Sequence, residues 1–551
     1  MKNILIFIIL LYSDYGVTQN TIGVLLHDQE KVFEGYNLFM ANKQSTAYLI
    51  NNCGEIINSW SDHDFARIGA ELYLMPDGKL LKAKVDKDVN STSSIGAGGA
   101  GGVLEIVSWE NELLWQYVLQ DSLQRQHHDI CIMPNGHILA IVWDRYFLDD
   151  ILEKGFDTLS YNQREIWPDK IIEIDPQSSE VVWEWKGWDH VIQDFDSTKV
   201  NYTNIHDHPE SININYQDFT FSKKDWMHSN AIDYNANLDQ IILSVRNFNE
   251  IWIIDHSTTT NEAATNKGGN SDKGGGILWR WGNNHAYKMG NSNDRVLHYQ
   301  HDAGWVQSPK LINSPYFNTI SVYNNFIDSR YSMGTFINPQ LANDGYNYLK
   351  NENDTYLPNT IFADVSHPDT LKQYSSAGSN IQLLPNGNIL MHAARQGRTI
   401  ELTNDEVPVW EYLVPLKQGE FMSQGDDIFL SENFTFSLRR YPVDFSGFDD
   451  KDMSAKGFLE LNPNESFCIL STISDNSYEN NIVLYPNPVN NTLNISCEDN
   501  FEGYIYDFMG KSIMEISVNK QESYIDISSL SNGLYFLKSN NRKLLKFIIH
   551  R

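Results

Sequence analysis

Three histidines fall at matching places in successive copies of one internal pattern. They are His128 in Gln126-His127-His128-Asp129, His228 in Asp225-Trp226-Met227-His228-Ser229-Asn230, and His301 in Gln300-His301-Asp302. Each follows an aromatic strand signature, W-x-W or W-x-Y, and two of them stand just before a hairpin. In a radial β architecture, equivalent positions of neighbouring repeats converge on one axis, so side chains roughly a hundred residues apart become neighbours. The repeat around His228 also supplies an amide, Asn230, and a guanidinium, Arg246, at the end of the apolar run 241–246. Imidazoles, an amide and a guanidinium suit a tetrahedral oxyanion. Arginine donates two parallel hydrogen bonds and keeps its charge, and histidine near neutral pH serves as nucleophile, acid or base. Such a set can run sulfuryl or phosphoryl transfer through a covalent histidine intermediate. Two other readings stay open. The histidines could be structural, or they could hold a metal with Asp129 and Asp302, although a nearby arginine repels a cation. His128 is preferred to His127 because it directly precedes Asp129, and because His127 would point to the opposite face of its strand.

These residues need a scaffold, and two local patterns describe it. Pro76-Asp77-Gly78, Pro134-Asn135-Gly136 and Pro385-Asn386-Gly387, each between apolar residues, read as tight hairpins in which both central residues take positive φ. Trp115-Gln116-Tyr117, Trp183-Glu184-Trp185, Trp279-Arg280-Trp281 and Trp410-Glu411-Tyr412, with a weaker copy at Trp60, read as strands whose aromatic pairs pack inward. Little helical periodicity separates them. The expectation is an all-β chain: a six-bladed β-propeller over 21–455, a linker over 456–480, and a small C-terminal β-sandwich over 481–551. Polar and glycine-rich insertions at 84–102, 189–216, 256–276 and 330–368 read as surface loops.

The 71 acidic and 41 basic residues leave a formal charge of −30, which repels phosphate backbones and argues against a nucleic-acid partner. The opening residues, a lysine followed by the apolar run from Ile4 to Tyr12, read as a signal peptide over 1–18, too short to span a bilayer. No later stretch is long and apolar enough to be a transmembrane segment, so a secreted or surface-attached protein is expected. The four cysteines form no C-x-x-C pair, and Cys131 reads as a small buried hydrophobe. Gly96-Ala97-Gly98-Gly99-Ala100-Gly101 fits G-x-G-x-x-G, but it precedes a strand and opens no helix, so no nucleotide cofactor is expected.

The segments His128-Asp129 with Pro134-Asn135-Gly136, Asp225-Trp226-x-His228-x-Asn230 with Arg246, and Gln300-His301 with Trp305 and the later strand Ile320-Ser321-Val322-Tyr323-Asn324-Asn325 resemble the bacterial aryl-sulfate sulfotransferase family. These are six-bladed propellers that move sulfate between phenols without a nucleotide donor, and the resemblance runs from about Gly35 to Tyr441. It implies that His301 is the nucleophile, forming a sulfohistidine. It further implies that His128, His228 and Arg246 hold the sulfuryl oxygens with Asn230 in support, that an aryl sulfate is the donor and that a phenol is the acceptor. Family members often carry a further β-domain before the propeller; here the repeats begin soon after the leader. Ser379-Asn380 stands in the last repeat where the others have histidine. The C-terminal motifs Tyr485-Pro486-Asn487-Pro488, Tyr506-Asp507-Phe508-Met509-Gly510-Lys511 and Gly533-Leu534-Tyr535 resemble the sorting domain of type IX secretion, which implies the type IX machinery as a partner. An aryl sulfate hydrolase and a non-catalytic surface-binding propeller remain the alternatives.

Overall fold

The Pro-Asp-Gly and Pro-Asn-Gly segments do close hairpins, by a different turn from the one their dipeptides suggest. In each, the glycine N–H returns to the carbonyl three residues back, Gly78 to Met75, Gly136 to Met133 and Gly387 to Leu384. Only the glycine is left-handed, with φ of 82°, 87° and 90°. Proline at the first central position presets a type I turn, and the glycine then supplies the bulge that realigns the strands.

The computed structural model describes residues 20–62, 71–85, 94–161, 163–217, 224–328, 331–464, 482–485, 489–497, 500–507, 511–539 and 544–551. The expected leader and most of the expected linker lie outside them. The protein is all-β, in two compact units, Met1–Asn464 and Glu465–Arg551.

In the first unit the described residues form six successive antiparallel sheets of four or five strands, besides short two-stranded pieces. Five sheets open with an inner strand: Leu72–Leu74, Gln124–Ile132, Ser229–Asn235, His301–Trp305 and Asn380–Leu383. The sheet built on Gly35–Ala41 takes its inner strand from the far end of the unit, Thr435–Pro442. Gly23–His27 pairs with the outer strand of the last sheet, Pro408–Leu413.

Polar bonds link each inner strand to the next. The Tyr73 hydroxyl donates to Asp129 (2.9 Å), the Ile232 amide to Asp129 (2.9 Å), the Trp305 amide to Asp233 (2.8 Å) and the Ile381 amide to Asp302 (2.8 Å). The Leu438 amide then donates to Asn380 (2.9 Å), and the Leu74 amide donates to the Tyr441 hydroxyl (2.9 Å), which returns to the first of these strands. A buried carboxylate is tolerated here because amide hydrogens satisfy it.

The aromatic signatures lie on outer strands. Trp185, Trp279 and Trp410 are fully buried, and each indole donates to a backbone carbonyl of the following segment, at Gly275, Leu357 and Asn52. Trp115 and Tyr117 differ: they stack at 5.9 Å on a strand that leaves Leu113, Leu114 and Val118 exposed. The insertion at 189–216 is more than a surface loop. Val191, Ile205, Ile212 and Ile214 pack with Trp185 and Trp188 in a shared apolar core. The second unit holds a three-stranded and a four-stranded sheet whose apolar faces share one core, including Leu493, Ile505, Leu537 and Phe547. Among the described residues no helix is long and apolar enough to cross a membrane.

Candidate active site

Each histidine sits where its inner strand breaks register. Between the pairs Gln126↔Val142 and Ile130↔Ala140 the third sheet's inner strand carries extra residues, and His128 there has φ 52°. His228, also at φ 52°, precedes a shift between Ser229 and Ala231. His301 opens a strand with a shift before Gly304 and is flanked by left-handed Tyr299 (54°) and Asp302 (56°). Ser379, at φ 89°, holds the corresponding place in the sixth sheet. Bulges aim a side chain away from the pleat, and left-handed non-glycine residues cost about 1–3 kcal/mol each, so the surrounding fold must hold them.

The bulges bring the sequence-derived residues together. The rings of His128 and His228 lie 4.5 Å apart, and Phe436, from the closing strand, lies 6.1 Å from His128 and 6.2 Å from His301. Arg246 directly follows the strand Gln240–Val245, is buried, and rests its guanidinium 4.8 Å from the centre of the Tyr299 ring. Asn230 donates to the Gln300 carbonyl (2.7 Å), bracing the peptide just before His301; its buried Oδ1 has no hydrogen bond among the described residues.

Each histidine has its own backing. Nδ1 of His228 bonds the Asp225 carboxylate, whose other oxygen accepts from the Trp143 indole (2.8 Å). Nδ1 of His301 faces two acceptors, Asn325 Oδ1 (2.8 Å) and the Tyr299 carbonyl (3.0 Å), so it carries the proton. The bare Nε2 accepts from the Gly378 amide (3.1 Å). Burial, then the Arg246 charge, holds His301 down to about 3, with His228 adding to the effect and Asn325 and Tyr299 opposing it. Burial, then His228, His127, His301 and Arg246, keeps His128 well below its usual value. Both rings are neutral at physiological pH.

The sequence reading erred on His127. The bulge breaks the two-residue alternation, so His127 does not leave for the opposite face. Its ring lies 5.1 Å from that of His128, and the two Nδ1 atoms are 2.8 Å apart. The glycine run was also undervalued. A Cβ on Gly99 would stand 2.1 Å from His128 Cε1 and Nε2, and one on Gly98 would stand 3.9 Å from His228 Cε1. The loop lies directly against the histidines, and Arg125 pins it by donating to the Ile95 and Gly101 carbonyls, both at 2.9 Å. Only glycine leaves space for that approach. Phe436 carried no sequence signal, since its strand lacks the histidine pattern.

Asp129 and Asp302 serve as the staples between inner strands, and Asp302 also binds Arg439 (2.7 Å). Among the described residues no group of three or more His, Cys, Asp or Glu is arranged to hold a metal ion. Cys131 is buried, and burial pushes its thiol well above the usual range, which suits an inert packing role.

Residues 31–412 match the Arylsulfotransferase (ASST) family, and residues 483–550 match the secretion system C-terminal sorting domain. A search of curated proteins gives no match. Among solved structures, a protein of unknown function from Bacteroides caccae is 11% identical, covering 74% of this chain and 99% of its own, at a TM-score of 0.40. Virginiamycin B lyase from Staphylococcus aureus is 9% identical, covering 70% and 86%, at 0.31. A streptogramin B lyase is 9% identical, covering 77% and 95%, at 0.34.

Proposed function

The chain belongs to the arylsulfotransferase family, and we propose that its histidine cluster moves a sulfuryl group from an aryl sulfate to a phenol, without a nucleotide donor, on a six-bladed β-propeller spanning 21–455. The observation that carries this reading is the convergence of His128, His228, His301 and Arg246, from the third, fourth and fifth sheets, on one buried space beside Phe436.

His301 is the nucleophile. Its Nδ1–H is held by Asn325 and Tyr299, which leaves the lone pair on Nε2, and its depressed basicity keeps that pair free of a proton at neutral pH. Nε2 attacks sulfur, the bond from sulfur to the aryl oxygen breaks, and the phenolate departs. A phenol then attacks the sulfohistidine, the S–N bond breaks, and its electron pair returns to His301 while the phenol proton passes to a base in the site. Arg246 and His228 hold the sulfuryl oxygens. The Asp225 carboxylate holds His228 through its Nδ1, and Asn230 fixes the fourth sheet to the peptide that presents His301. The Gly378 N–H, released when Nε2 bonds sulfur, is free to meet a sulfuryl oxygen. Positioning and preorganised charge supply most of the acceleration.

The C-terminal sorting domain marks the chain for export to the cell surface or beyond, which fits a leader at 1–18, a linker at 456–480 and a sorting domain at 481–551. The direct test is turnover of a chromogenic aryl sulfate with and without a phenol. Transfer requires a sulfated phenol as product and faster turnover with the acceptor; release of inorganic sulfate at an unchanged rate would make the protein a hydrolase.

A further inference from the structure

His301 is backed by a carboxamide where His228 is backed by a carboxylate, and the difference decides what becomes of a proton. Asn325 is fully buried in the strand Ile320–Asp328. Its Nδ2 donates to the Ser375 carbonyl (3.0 Å) and to the Gly378 carbonyl (2.9 Å), which uses both amide hydrogens. Carbonyls only accept, so the amide group has one orientation, and Oδ1 is the atom that faces His301 Nδ1 at 2.8 Å. The Tyr299 carbonyl meets the same nitrogen at 3.0 Å. Across the ring, Nε2 faces a group that can only donate, the Gly378 N–H, at 3.1 Å. Burial, then the Arg246 charge, keeps the ring neutral at physiological pH. Two acceptors at one nitrogen and a donor at the other leave that neutral ring a single arrangement, with hydrogen on Nδ1 and the lone pair on Nε2.

Asn325 also holds the segment that faces the nucleophile. Gly378 gives its N–H to His301 and its carbonyl to Asn325, so ring, amide and loop close a circuit of three hydrogen bonds. Ser332 fixes this circuit from behind. Its hydroxyl donates to the Asn325 carbonyl and accepts from the Ser375 amide (3.1 Å), and both serines are fully buried. An amide oxygen accepts a hydrogen bond but is too weak a base to take the proton, whereas a carboxylate in its place could. Two histidines at matching repeat positions therefore differ in what stands behind Nδ1: at His228 a group able to receive its hydrogen, at His301 a group that can only orient it.

We propose that Asn325 is a positioning residue that keeps the Nδ1 proton on His301 through the whole cycle, so that the sulfohistidine is an N-sulfoimidazolium and its leaving group is a neutral imidazole. This rests on the sulfotransferase reading above. When Nε2 bonds sulfur and the aryl oxygen departs with its electron pair, the ring carries the sulfuryl group on Nε2 and hydrogen on Nδ1. When the phenol oxygen bonds sulfur, the S–Nε2 bond breaks, its pair returns to Nε2, and the phenol proton goes to a base in the site. The ring is then neutral again, with Nδ1 never having lost its hydrogen. Had a carboxylate taken that hydrogen, the departing group would be an imidazolate, a much stronger base and a poorer leaving group. A carboxamide behind the nucleophile thus suits a group that must be given up as readily as it is taken.

Nitrogen-15 NMR of the full chain, labelled at histidine, reads this proton before and after mixing with nitrophenyl sulfate in the absence of a phenol. Resting His301 is expected to show a protonated Nδ1 and a bare Nε2. The adduct is expected to keep the one-bond coupling of Nδ1 to hydrogen while Nε2 takes the shift of a substituted nitrogen. An adduct with a bare Nδ1 overturns the proposal, as does a resting ring with its hydrogen on Nε2. Asn325→Asp, assayed at about pH 8 where the new carboxyl is ionised, supplies the kinetic reading. Its burst of nitrophenolate should slow less than about tenfold, while passage of the bound group to a phenol should slow about 10²-fold or more. Equal slowing of both steps would make Asn325 a structural residue only and overturn the proposal. Should that variant fail to fold, the spectra of the unaltered protein decide. An unaltered protein that forms no adduct removes the sulfotransferase reading and this inference with it, whereas an adduct lacking the Nδ1 proton removes this inference alone.

Discussion

The inner strands carry two environments along their length, and the contrast shows where chemistry is available. His228, His301 and Phe436 lie before or at the start of their strands and His128 at the bulge midway along its own, with Arg246 beside them and the glycine loop against them. Further along the same strands lies a cavity of about 710 Å³, lined among others by Tyr73, Asp129, Asp233, Trp305 and Arg439. The cavity is roomy, but its polar groups are already committed. Asp129 and Asp233 accept backbone amides, and Arg439 is tied to Glu71 and Asp302. Burial lifts the Asp233 carboxyl to about 6 and pushes Asp129 well above the usual range. The Arg439 guanidinium at this end is already paired with carboxylates, while the histidine end offers a sulfate ester Arg246 and three imidazoles. Size marks the cavity, and imidazoles gathered beside a guanidinium mark the site.

The largest expected effect is at the nucleophile. His301→Ala should lower release of phenol from an aryl sulfate by about 10⁴-fold or more, read with a chromogenic donor, and an active variant would remove His301 from that role. Arg246→Met should cost about 10²–10³ in kcat. It should also move the acid limb of the pH–rate profile upward, because Arg246 helps hold His301 down to about 3. An unmoved acid limb would separate the two residues. Gly99→Ala drives a Cβ into the His128 ring at a left-handed position (φ 81°), and transfer should slow about tenfold to a hundredfold.

The cavity end should respond in stability instead. Asp233→Asn sets an amide group where two backbone N–H groups now find acceptors, Tyr234 and Trp305, so urea unfolding should show a loss of about 1–3 kcal/mol. Its kcat should change less than about threefold; a tenfold fall would erase the contrast between the two ends. The smallest effect concerns a staple outside both. His256 bonds Asp239 (2.7 Å) and Glu173 (3.0 Å), and against the lowering effect of burial these partners raise it to about 9. Its contribution is whole below about pH 6.5, the unfolded value, and is lost as pH rises through 9. The Tm deficit of His256→Gln, equivalent to about 1–2 kcal/mol, should therefore shrink between pH 6 and pH 9.5.

What the sequence made legible follows the range of the forces involved. The hairpins could be read because turn chemistry is local, and the aromatic outer strands because alternation repeats every two residues. The pairing of Thr435–Pro442 with Gly35–Ala41 could not, since nothing near either strand specifies a partner some 400 residues away. The histidine positions were readable as a repeated pattern, and the structure brings them together. The place of His127 was not, because strand alternation fails at a bulge, and a left-handed His128 gives no signal in the letters. The glycine run fits a dinucleotide pattern without the helix that pattern needs, and its small residues serve a close approach of backbone to imidazole instead. Phe436 and Gly378 reach the site from a strand and a loop with no histidine motif, so only the folded arrangement identifies them, whereas Asn325 lies in a strand that the family resemblance already covers.

The central claim is that a covalent sulfuryl group rests on one buried imidazole between donor and acceptor. Peptide mass spectrometry of protein mixed briefly with an aryl sulfate, quenched without acid before any phenol is added, tests it most directly. One sulfuryl mass on the peptide bearing His301, removed when a phenol is supplied, is the predicted result. An adduct on another residue, or turnover with His301 never modified, would contradict the account.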